Sequence, residues 1–380
     1  MTENENNLPE PQTAEQIRAE ELRKYWLNPA IDYPEPHFLF EYNGVGFSPL
    51  GGIQAISGQK KNGKTFVLAQ LMAAALGTGS ERVETYLGTL RTRDGTIEWL
   101  QHKPKVLYCD TEMEQLNTAK VLRRVHWLCG WDMRQASERF FVLWLREVPK
   151  TDSQSSNSER WRLIKNAIDQ VNPDIVFVDG LRDLVNDFND NSESSAIVGE
   201  MMSLASQRNI CIWNVLHMNP RPQNDDESKM RGHLGTELGN KVSDTFVSIK
   251  KKDDKTGQVT FVVKQQDARG KDVDDWTFEV VDDAGGLGIP KIISTPVDTM
   301  KNGDTPEKIL SWINQAEGRY SWPMSRKQVK EQVFGEIGGQ KNHTMQDLDL
   351  QIALNLKWLE QSTIKKNGSY MLQPPEDLPF

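Results

Sequence analysis

The strongest chemical signal in the chain is a glycine- and lysine-rich segment between a short apolar run and a helical pattern. It matches the spacing G-x-x-x-x-G-K-S/T, and its residues are Gly58, Gln59, Lys60, Lys61, Asn62, Gly63, Lys64 and Thr65. The glycines let the backbone curl until consecutive N–H groups surround a phosphate at the N-terminus of the next helix. Lys64 would reach the β and γ oxygens, and the Thr65 hydroxyl would hold Mg²⁺. The segment therefore predicts a nucleoside triphosphate site, with Phe66 among its contacts.

A second strand is expected to bring a carboxylate to the same site. The apolar run 175–178 ends in Asp179, and the carboxyl ends of parallel strands meet at one edge of a sheet. Asp179 is therefore predicted to hold Mg²⁺ together with Thr65. The alternative is an aspartate that only caps the turn after its strand.

Hydrolysis of a phosphate bond also requires a group that orients or deprotonates water. The apolar run 106–109 is followed by Asp110, Glu112 and Glu114. We predict Glu112 as this base, with Asp110 and Glu114 as competitors. The remaining alternative is an ordinary negative charge near the N-terminus of the next helix.

The elements that would position these groups alternate along the chain after residue 49. Strands are predicted at 53–57, 106–109, 140–145, 175–178 and 210–216, and helices at 65–76, 114–129, 159–171 and 195–208. Such alternation is typical of an α/β fold with a parallel sheet covered on both faces. Runs at 245–251, 259–265 and 276–281 are joined by short turns, so they predict an antiparallel hairpin at the sheet edge.

Changes of composition predict four regions. Residues 1–24 form a polar tail, and residues 25–282 form the nucleotide-binding domain, which begins with an irregular aromatic strap at 25–49. Residues 283–304 are predicted to be a linker. Three helical patterns and a closing hairpin at 305–380 predict a small winged-helix-like domain. The stretch 78–102 is interpreted as carrying a surface hairpin at 93–96; contact with adenine or with a neighbouring subunit is the alternative.

Composition excludes several classes of protein. The chain has 380 residues, of which 37% are hydrophobic and 26% charged, which is typical of a globular protein. A net charge of −9 excludes coating of nucleic acid by bulk positive charge. The sequence has no apolar run long enough for a membrane helix and starts with polar residues, so we expect a cytoplasmic protein without membrane contact. The three cysteines have neither disulfide nor metal spacing, and we expect each to be buried.

Residues 45–280 resemble the RecA-like ATPases, and within them the plasmid RepA-type and DnaB-type replicative helicases and related AAA family ATPases of mobile elements. The resemblance rests on the phosphate loop, on the order of Glu112 and Asp179, and on three further segments: Asp179-Gly180-Leu181-Arg182-Asp183 with Asp190-Asn191, Val215-Leu216-His217-Met218-Asn219, and Arg231-Gly232-His233 with Asp244. It implies ATP and Mg²⁺ as cofactors, His217 as a sensor of the γ-phosphate or of DNA, and a homo-oligomer such as a hexameric ring.

The same resemblance implies that a lysine and an arginine on a late hairpin reach the γ-phosphate of a neighbouring subunit. Lys264 and Arg269 occupy that place, although their spacing is longer than the usual Lys-x-Arg. Two solvated side chains at a hairpin tip are the alternative.

Contact with DNA is predicted in two places. RecA-like rings grip single strands with the loops after the strands of Asp179 and His217, which points to Arg221, Lys229 and Arg231, whereas the first loop, 183–193, is acidic. In the winged-helix-like domain the candidates are Arg326, Lys327 and Lys330. Residues 301–380 have ten basic and ten acidic residues, so docking of a protein is an equal alternative to DNA.

Two functions follow. The first is a DNA-dependent ATPase or helicase in the replication or mobilisation of a plasmid or transposon, acting with the partner proteins of that process. The second is an oligomeric recruitment or loading factor that ATP switches, with slow hydrolysis and no unwinding. A metabolic kinase is a third possibility, but the sequence has no arginine-rich lid.

Overall fold

The structure, a computed structural model, describes most of the chain between residues 13 and 375. The described residues are 13, 18, 20, 22–23, 25–33, 35–149, 155–218, 230–253, 256–293, 304–339, 346, 349–350, 352–354, 356, 358–366 and 369–375. They divide into two compact units, Met1–His37 and Phe38–Phe380. The unit boundary therefore lies later than the predicted end of the polar tail at residue 24.

Strands and helices alternate along the second unit, as the apolar runs predict. In chain order the described elements are β1 (Phe38–Tyr42), β2 (Val45–Pro49), β3 (Ile53–Gly58), α1 (Lys64–Leu76), α2 (Glu81–Leu87), β4 (Arg91–Thr92), α3 (Thr96–Leu100), β5 (Val106–Asp110), α4 (Gln115–Leu128), β6 (Phe140–Trp144), α5 (Ser156–Val171), β7 (Ile175–Asp179), α6 (Asn191–Arg208), β8 (Cys211–His217), α7 (Gly232–Lys241), β9 (Asp244–Lys252), β10 (Val259–Ala268), β11 (Trp276–Val281), β12 (Ile289–Ile293), α8 (Pro306–Glu317), α9 (Arg326–Gln328), β13 (Glu360–Lys366) and β14 (Ser369–Gln373).

The main sheet has nine strands in the order β12-β11-β10-β9-β3-β8-β7-β5-β6. The strands from β9 to β6 in this order are all parallel, and β10, β11 and β12 continue the sheet antiparallel. The predicted α/β class, with a mostly parallel sheet and an antiparallel edge, is confirmed. Because the order β3-β8-β7-β5 is not the chain order, the carboxyl ends of strands that are distant in sequence become neighbours.

Each parallel strand contributes to two cores because successive side chains lie on opposite faces of the sheet. On one face, strand residues such as Ile56 and Tyr108 pack with α1 and α4. On the other face, residues such as Ala55 and Leu107 pack with α5, α6 and α7. The three cysteines are buried as expected. None of the helices in the described part of the chain combines the length and apolarity needed to cross a membrane.

The aromatic segment before the phosphate loop is more regular than the predicted strap. Strands β1 and β2 pair antiparallel around the turn Asn43-Gly44, where both residues have positive φ. This is the turn chemistry that favours a two-residue hairpin. β4 joins β1 to complete a small three-stranded sheet. The prediction of a surface hairpin at 93–96 was wrong, because β4 pairs with β1 and α3 begins at Thr96.

The predicted linker 283–304 contains a strand of the main sheet. β12 pairs with β11 from Ile289 to Ile293, so the sheet extends past the predicted domain end at residue 282. The isoleucines at 289, 292 and 293 could have indicated this edge strand.

The C-terminal region has its own apolar core, formed mainly by α8, by the helix that starts at α9, and by residues 350, 352–354 and 358–359. α9 continues as a π-helical stretch, Val329–Ile337, and residues 346, 349–350 and 352–354 are helical. β13 and β14 form an antiparallel hairpin. The elements follow the predicted order of helices and hairpin, while the winged-helix assignment stays a prediction.

Candidate nucleotide site

The phosphate loop connects β3 to α1, and its two glycines are required by close contacts. Gly58 has φ +157°, and a Cβ there would lie 2.6 Å from the carbonyl oxygen of Ser248. Gly63 has φ +83°, and a Cβ there would lie 2.6 Å from the Phe261 ring. The Ser248 hydroxyl also donates to the carbonyl of Asn62. Strands β9 and β10 therefore hold the loop in a shape that only glycine permits at these positions.

Lys64 is buried and folds back over the loop. Its Nζ donates to the carbonyl oxygens of Gly58 at 3.0 Å and Gln59 at 2.9 Å, and to Nδ1 of His217 at 3.2 Å. Burial lowers the pKa of Lys64, and the charges of Asp179 and Glu112 oppose that shift. Since an ammonium only donates, Nδ1 of His217 is the acceptor in this contact.

Thr65 and Asp179 meet as the sequence predicts. Thr65 Oγ1 donates to Asp179 Oδ2 at 3.1 Å, and Asp179 lies buried at the end of β7. Burial raises the pKa of Asp179 to about 7, helped by the charges of Asp110 and Glu112 and opposed by hydrogen bonds from Tyr108 and Thr65. An unpaired buried carboxylate of this kind favours a nearby cation.

The donor atoms of this pair fit Mg²⁺. One hydroxyl and one carboxylate are hard oxygen donors, and Mg²⁺ at phosphate sites takes one or two protein groups together with phosphate oxygens and waters. In the residues that the structure describes, no group of three or more histidine, cysteine or acidic side chains could hold a metal alone. Thr65 and Asp179 are thus suited to a metal that arrives with the nucleotide.

Asp110, one competitor for the base, is engaged in holding its own loop. Its Oδ1 accepts the backbone N–H groups of Glu112 at 3.0 Å and Met113 at 2.9 Å, and its Oδ2 accepts the hydroxyl of Thr118 at 2.6 Å. The side chain is fully buried. Asp110 therefore orients the segment that leads from β5 into α4.

Glu112 and Glu114 differ in position. Both carboxylate oxygens of Glu112 lie 3.4 Å from Nε2 of His217. Glu114 is 70% exposed and pairs with Arg146 at 3.4 Å. Burial acts to raise the pKa of Glu112, but the His217 hydrogen bond and the charges of His217, Lys64 and Lys60 lower it overall. Of the predicted carboxylates, Glu112 is the one that contacts His217, which in turn contacts Lys64 of the phosphate loop.

His217 joins the loop to this carboxylate. It stands at the end of β8, which lies between β3 and β7, and contacts Lys64 on one ring nitrogen and Glu112 on the other. His217, the predicted sensor, therefore contacts both Lys64 of the phosphate loop and Glu112, the predicted base.

The other predicted nucleotide contacts lie in different surroundings. Lys60 and Lys61 are exposed on the loop. The ring of Phe66 packs against Phe261 and Phe278, with centroids 6.4 and 6.5 Å away, and the guanidinium carbon of Arg124 lies 4.4 Å from its centroid. The Phe66 side chain thus joins the core under the loop.

Lys264 and Arg269 lie on β10 and just beyond it. Both line a cleft of about 710 Å³ between α7 and the β9–β10 pair. Arg269 donates from Nη2 to the carbonyl of Lys241 at 3.2 Å and from its backbone N–H to Ser243 at 3.0 Å. In this chain Arg269 therefore rests on the C-terminal end of α7, and these contacts do not bring it to Lys64, Glu112 or Asp179.

Three residues at or next to the loops predicted to contact DNA, Arg182, Phe188 and Arg231, lie beside Glu112 and His217. The guanidinium carbons of Arg182 and Arg231 lie 4.4 and 5.2 Å from the centroid of the Phe188 ring. These three residues, Glu112 and His217 line one small cavity. Arg221 and Lys229 lie outside the described residues.

The remaining DNA candidates are in the C-terminal region. Arg326 and Lys327 are exposed and Lys330 is half-buried. Lys327 forms an ion pair with Glu331 at 3.8 Å, which is an exposed contact of small energy.

Residues 40–220 match the family model described as an AAA domain. No curated protein matches the chain. Among solved structures, the KaiC-like protein PH0186 of the hyperthermophilic archaeon Pyrococcus horikoshii OT3 is similar at 11% identity and a TM-score of 0.44, over 68% of this chain and all of that one. The matched part of the chain, which is similar to an AAA domain, carries the phosphate loop, Lys64 and the Thr65–Asp179 pair at the carboxyl edge of a mostly parallel sheet, the arrangement expected of a P-loop ATPase.

Proposed function

We propose that the protein is an oligomeric, Mg²⁺-dependent ATPase that acts on DNA in the replication or mobilisation of a plasmid or transposon. The observation that carries this proposal is that Phe188, in the first strand-end loop, and Arg231 line the same small cavity as Glu112 and His217. Phe188 of the first loop lies beside that pair, and Arg231, next to the second loop, lies on Phe188. A ligand of the loops would therefore act on the groups next to the phosphate loop.

The roles of the site residues follow from their positions. The backbone of Gly58–Thr65 surrounds the β-phosphate, and Lys64 binds the β and γ oxygens. Thr65 and Asp179 would hold Mg²⁺, which would neutralise charge that develops on the phosphate oxygens. Glu112 accepts the proton of a water whose oxygen bonds to the γ-phosphorus, while the bond from that phosphorus to the bridging oxygen breaks and leaves ADP.

Lys64 provides the link between nucleotide and loops. To reach phosphate oxygens it must leave the carbonyls of Gly58 and Gln59 and the ring of His217. His217 then loses its donor at Nδ1 while it keeps Glu112 at Nε2. We infer that His217 reports the γ-phosphate to the loop residues through this change of partner.

Contact with DNA is supported by two exposed arginines next to this pair. Arg182 and Arg231 are exposed and stack on one aromatic ring, which holds their guanidinium planes at fixed positions. Arginines held in this way suit a phosphate backbone. The C-terminal residues Arg326, Lys327 and Lys330 offer a second, independent contact with DNA in a winged-helix-like domain.

Assembly would complete the site. We propose that Lys264 and Arg269 reach the γ-phosphate of a neighbouring subunit in a ring. Arg269 would first leave the carbonyl of Lys241, and this exposed hydrogen bond costs little to break.

The second candidate, an ATP-switched recruitment factor, is favoured by the first loop. Glu193 accepts the backbone N–H groups of Asn186 and Asp187 at 2.8 and 2.9 Å, and Asp190 caps α6. These carboxylates keep the loop negative, which repels DNA. In that case ATP sets the oligomeric state, and the C-terminal domain captures a protein or DNA element.

The test is ATP turnover with Mg²⁺, with and without single-stranded DNA at low salt, while mass in solution is recorded. Stimulation by DNA together with a ring-sized assembly supports the DNA-dependent ATPase. Slow turnover that ignores DNA, with a mass that changes on ATP binding, supports the recruitment factor instead.

A further inference from the structure

Tyr108 is a core residue whose hydroxyl reaches the nucleotide site. It lies in the middle of β5, its side chain is fully buried, and it belongs to the apolar core under α1. A phenylalanine would fill the same volume. The hydroxyl donates to Oδ2 of Asp179 at 3.0 Å. A buried tyrosine needs one polar partner, and here that partner is the carboxylate predicted to hold the metal.

Two hydroxyls fix the same carboxylate oxygen. Oδ2 of Asp179 accepts from Tyr108 and, at 3.1 Å, from Thr65. The two donors differ in what holds them. Thr65 belongs to the phosphate loop and is itself a proposed metal ligand, so its position depends on what the loop binds. Tyr108 is fixed by strand pairing, because β5 and β7 are in register with Tyr108 opposite Phe177 and Asp110 opposite Asp179.

We propose that Tyr108 is a positioning residue for Mg²⁺-dependent nucleotide binding: its hydroxyl holds the Asp179 carboxylate in the rotamer that takes the metal. This inference rests on the proposed assignment of Asp179 and Thr65 to Mg²⁺. Tyr108 touches neither phosphate nor water in this role. It acts only through Asp179, so its effect belongs to the metal requirement and not to nucleotide affinity in the absence of metal.

The experiment measures binding of a fluorescent ADP analogue as Mg²⁺ is raised, and again in EDTA, for the wild type and for Tyr108→Phe. The matched control is Tyr42→Phe, since Tyr42 is a partly buried tyrosine whose ring packs on Trp276 away from Asp179. We expect Tyr108→Phe to need roughly three- to tenfold more Mg²⁺ for half-saturation, the size typical of one intramolecular hydrogen bond. The affinity of Tyr108→Phe for the analogue in EDTA should equal that of the wild type. Tyr42→Phe should match the wild type both with Mg²⁺ and in EDTA.

Three results would overturn the proposal. If nucleotide binding by the wild type depends on Mg²⁺, an unchanged Mg²⁺ concentration at half-saturation in Tyr108→Phe overturns the role of Tyr108 alone. An equal loss of affinity with Mg²⁺ and in EDTA shows a structural role, which thermal unfolding of the variant would also report. Binding by the wild type that ignores Mg²⁺ overturns the Asp179 assignment and this inference together.

Discussion

The two places where the sequence predicts contact with the γ-phosphate differ in how complete they are within one chain. At the phosphate loop, hydrogen bonds shorter than 3.5 Å join Lys64 to His217 and His217 to Glu112, and another joins Thr65 to Asp179. On the other side of β3, Arg269 rests on the backbone of α7.

The difference follows from which elements hold each group. The residues of the first place stand at the carboxyl ends of adjacent parallel strands, so sheet pairing alone brings them together. Arg269 follows β10, a strand in the antiparallel part of the sheet, where nothing in the parallel part determines its partner. The site at the parallel strands is preorganised, whereas the proposed contact of Arg269 with a neighbouring subunit would form only on assembly.

Removal of Lys64 is expected to have the largest effect. Lys64→Ala should lower ATP turnover at least about a hundredfold, because the loop loses its charged contact with the β and γ oxygens. The fold should persist, since burial already makes the charge of Lys64 unfavourable. Turnover and circular dichroism of the purified variant measure both effects. Lys61→Ala, which changes an exposed lysine of the same loop, is the control, and turnover that survives in Lys64→Ala would show that the site is elsewhere.

The next prediction separates the two carboxylates that follow β5. Glu112→Gln should lower turnover by about 10²- to 10⁴-fold, the usual contribution of a general base, and should keep nucleotide binding. Glu114→Gln is the matched control, because Glu114 pairs with Arg146 at the surface, and it should behave as the wild type. Turnover and binding of an ADP analogue distinguish the two variants. Equal losses in both variants would mean that the helix terminus, and not a base, is responsible.

A third, smaller effect is expected on stability. Thr118→Val keeps the shape of the side chain but removes the hydroxyl that donates to buried Asp110 at 2.6 Å. A buried carboxylate oxygen that loses its hydrogen-bond donor destabilises the folded state by about 1–3 kcal/mol. The free energy of unfolding in urea should fall by that amount. Thr89→Val removes an exposed hydroxyl and should change it by less than about 0.5 kcal/mol. An unaffected Thr118→Val would return Asp110 to the list of possible bases.

The sequence was sufficient for the preorganised site because spacing and strand ends determine it. The loop from Gly58 to Thr65 and the strand ending in Asp179 are local patterns, and the α/β class brings their ends together. The placement of His217 between Lys64 and Glu112 needed the order of strands in the sheet. That order depends on how distant strands pair, which no local pattern contains.

Other features were missed for identifiable reasons. The turn Asn43-Gly44 predicts a hairpin, but the surrounding prolines and aromatic residues suggested an irregular strap. Tyr108 lies in an apolar run, and nothing in the surrounding sequence indicates that its hydroxyl contacts Asp179 at the end of the neighbouring strand β7. The buried position of Arg124 was also missed. Its guanidinium donates to the carbonyls of Leu287 and Gly288, which are more than 160 residues away in sequence, so no local pattern indicates these contacts.

In dilute protein, the smallest effect on stability and turnover is expected for a substitution of Arg269, which is not part of the preorganised site. Arg269→Ala removes one exposed hydrogen bond to Lys241, so stability should change by less than about 0.5 kcal/mol. Turnover per subunit should equal that of the wild type at low protein concentration. As concentration rises and subunits associate, the wild type should accelerate and the variant should not, because only an assembled neighbour can use Arg269.

A series of turnover measurements across protein concentration, with mass recorded in parallel, tests this expectation. Lys271→Ala, at an exposed lysine two residues further along, controls for simple loss of charge at this surface. Equal turnover of Arg269→Ala and wild type in the assembled state would leave Arg269 as a solvated side chain. A loss at every concentration, including that of the monomer, would place Arg269 in its own subunit's site and remove the distinction between the two places.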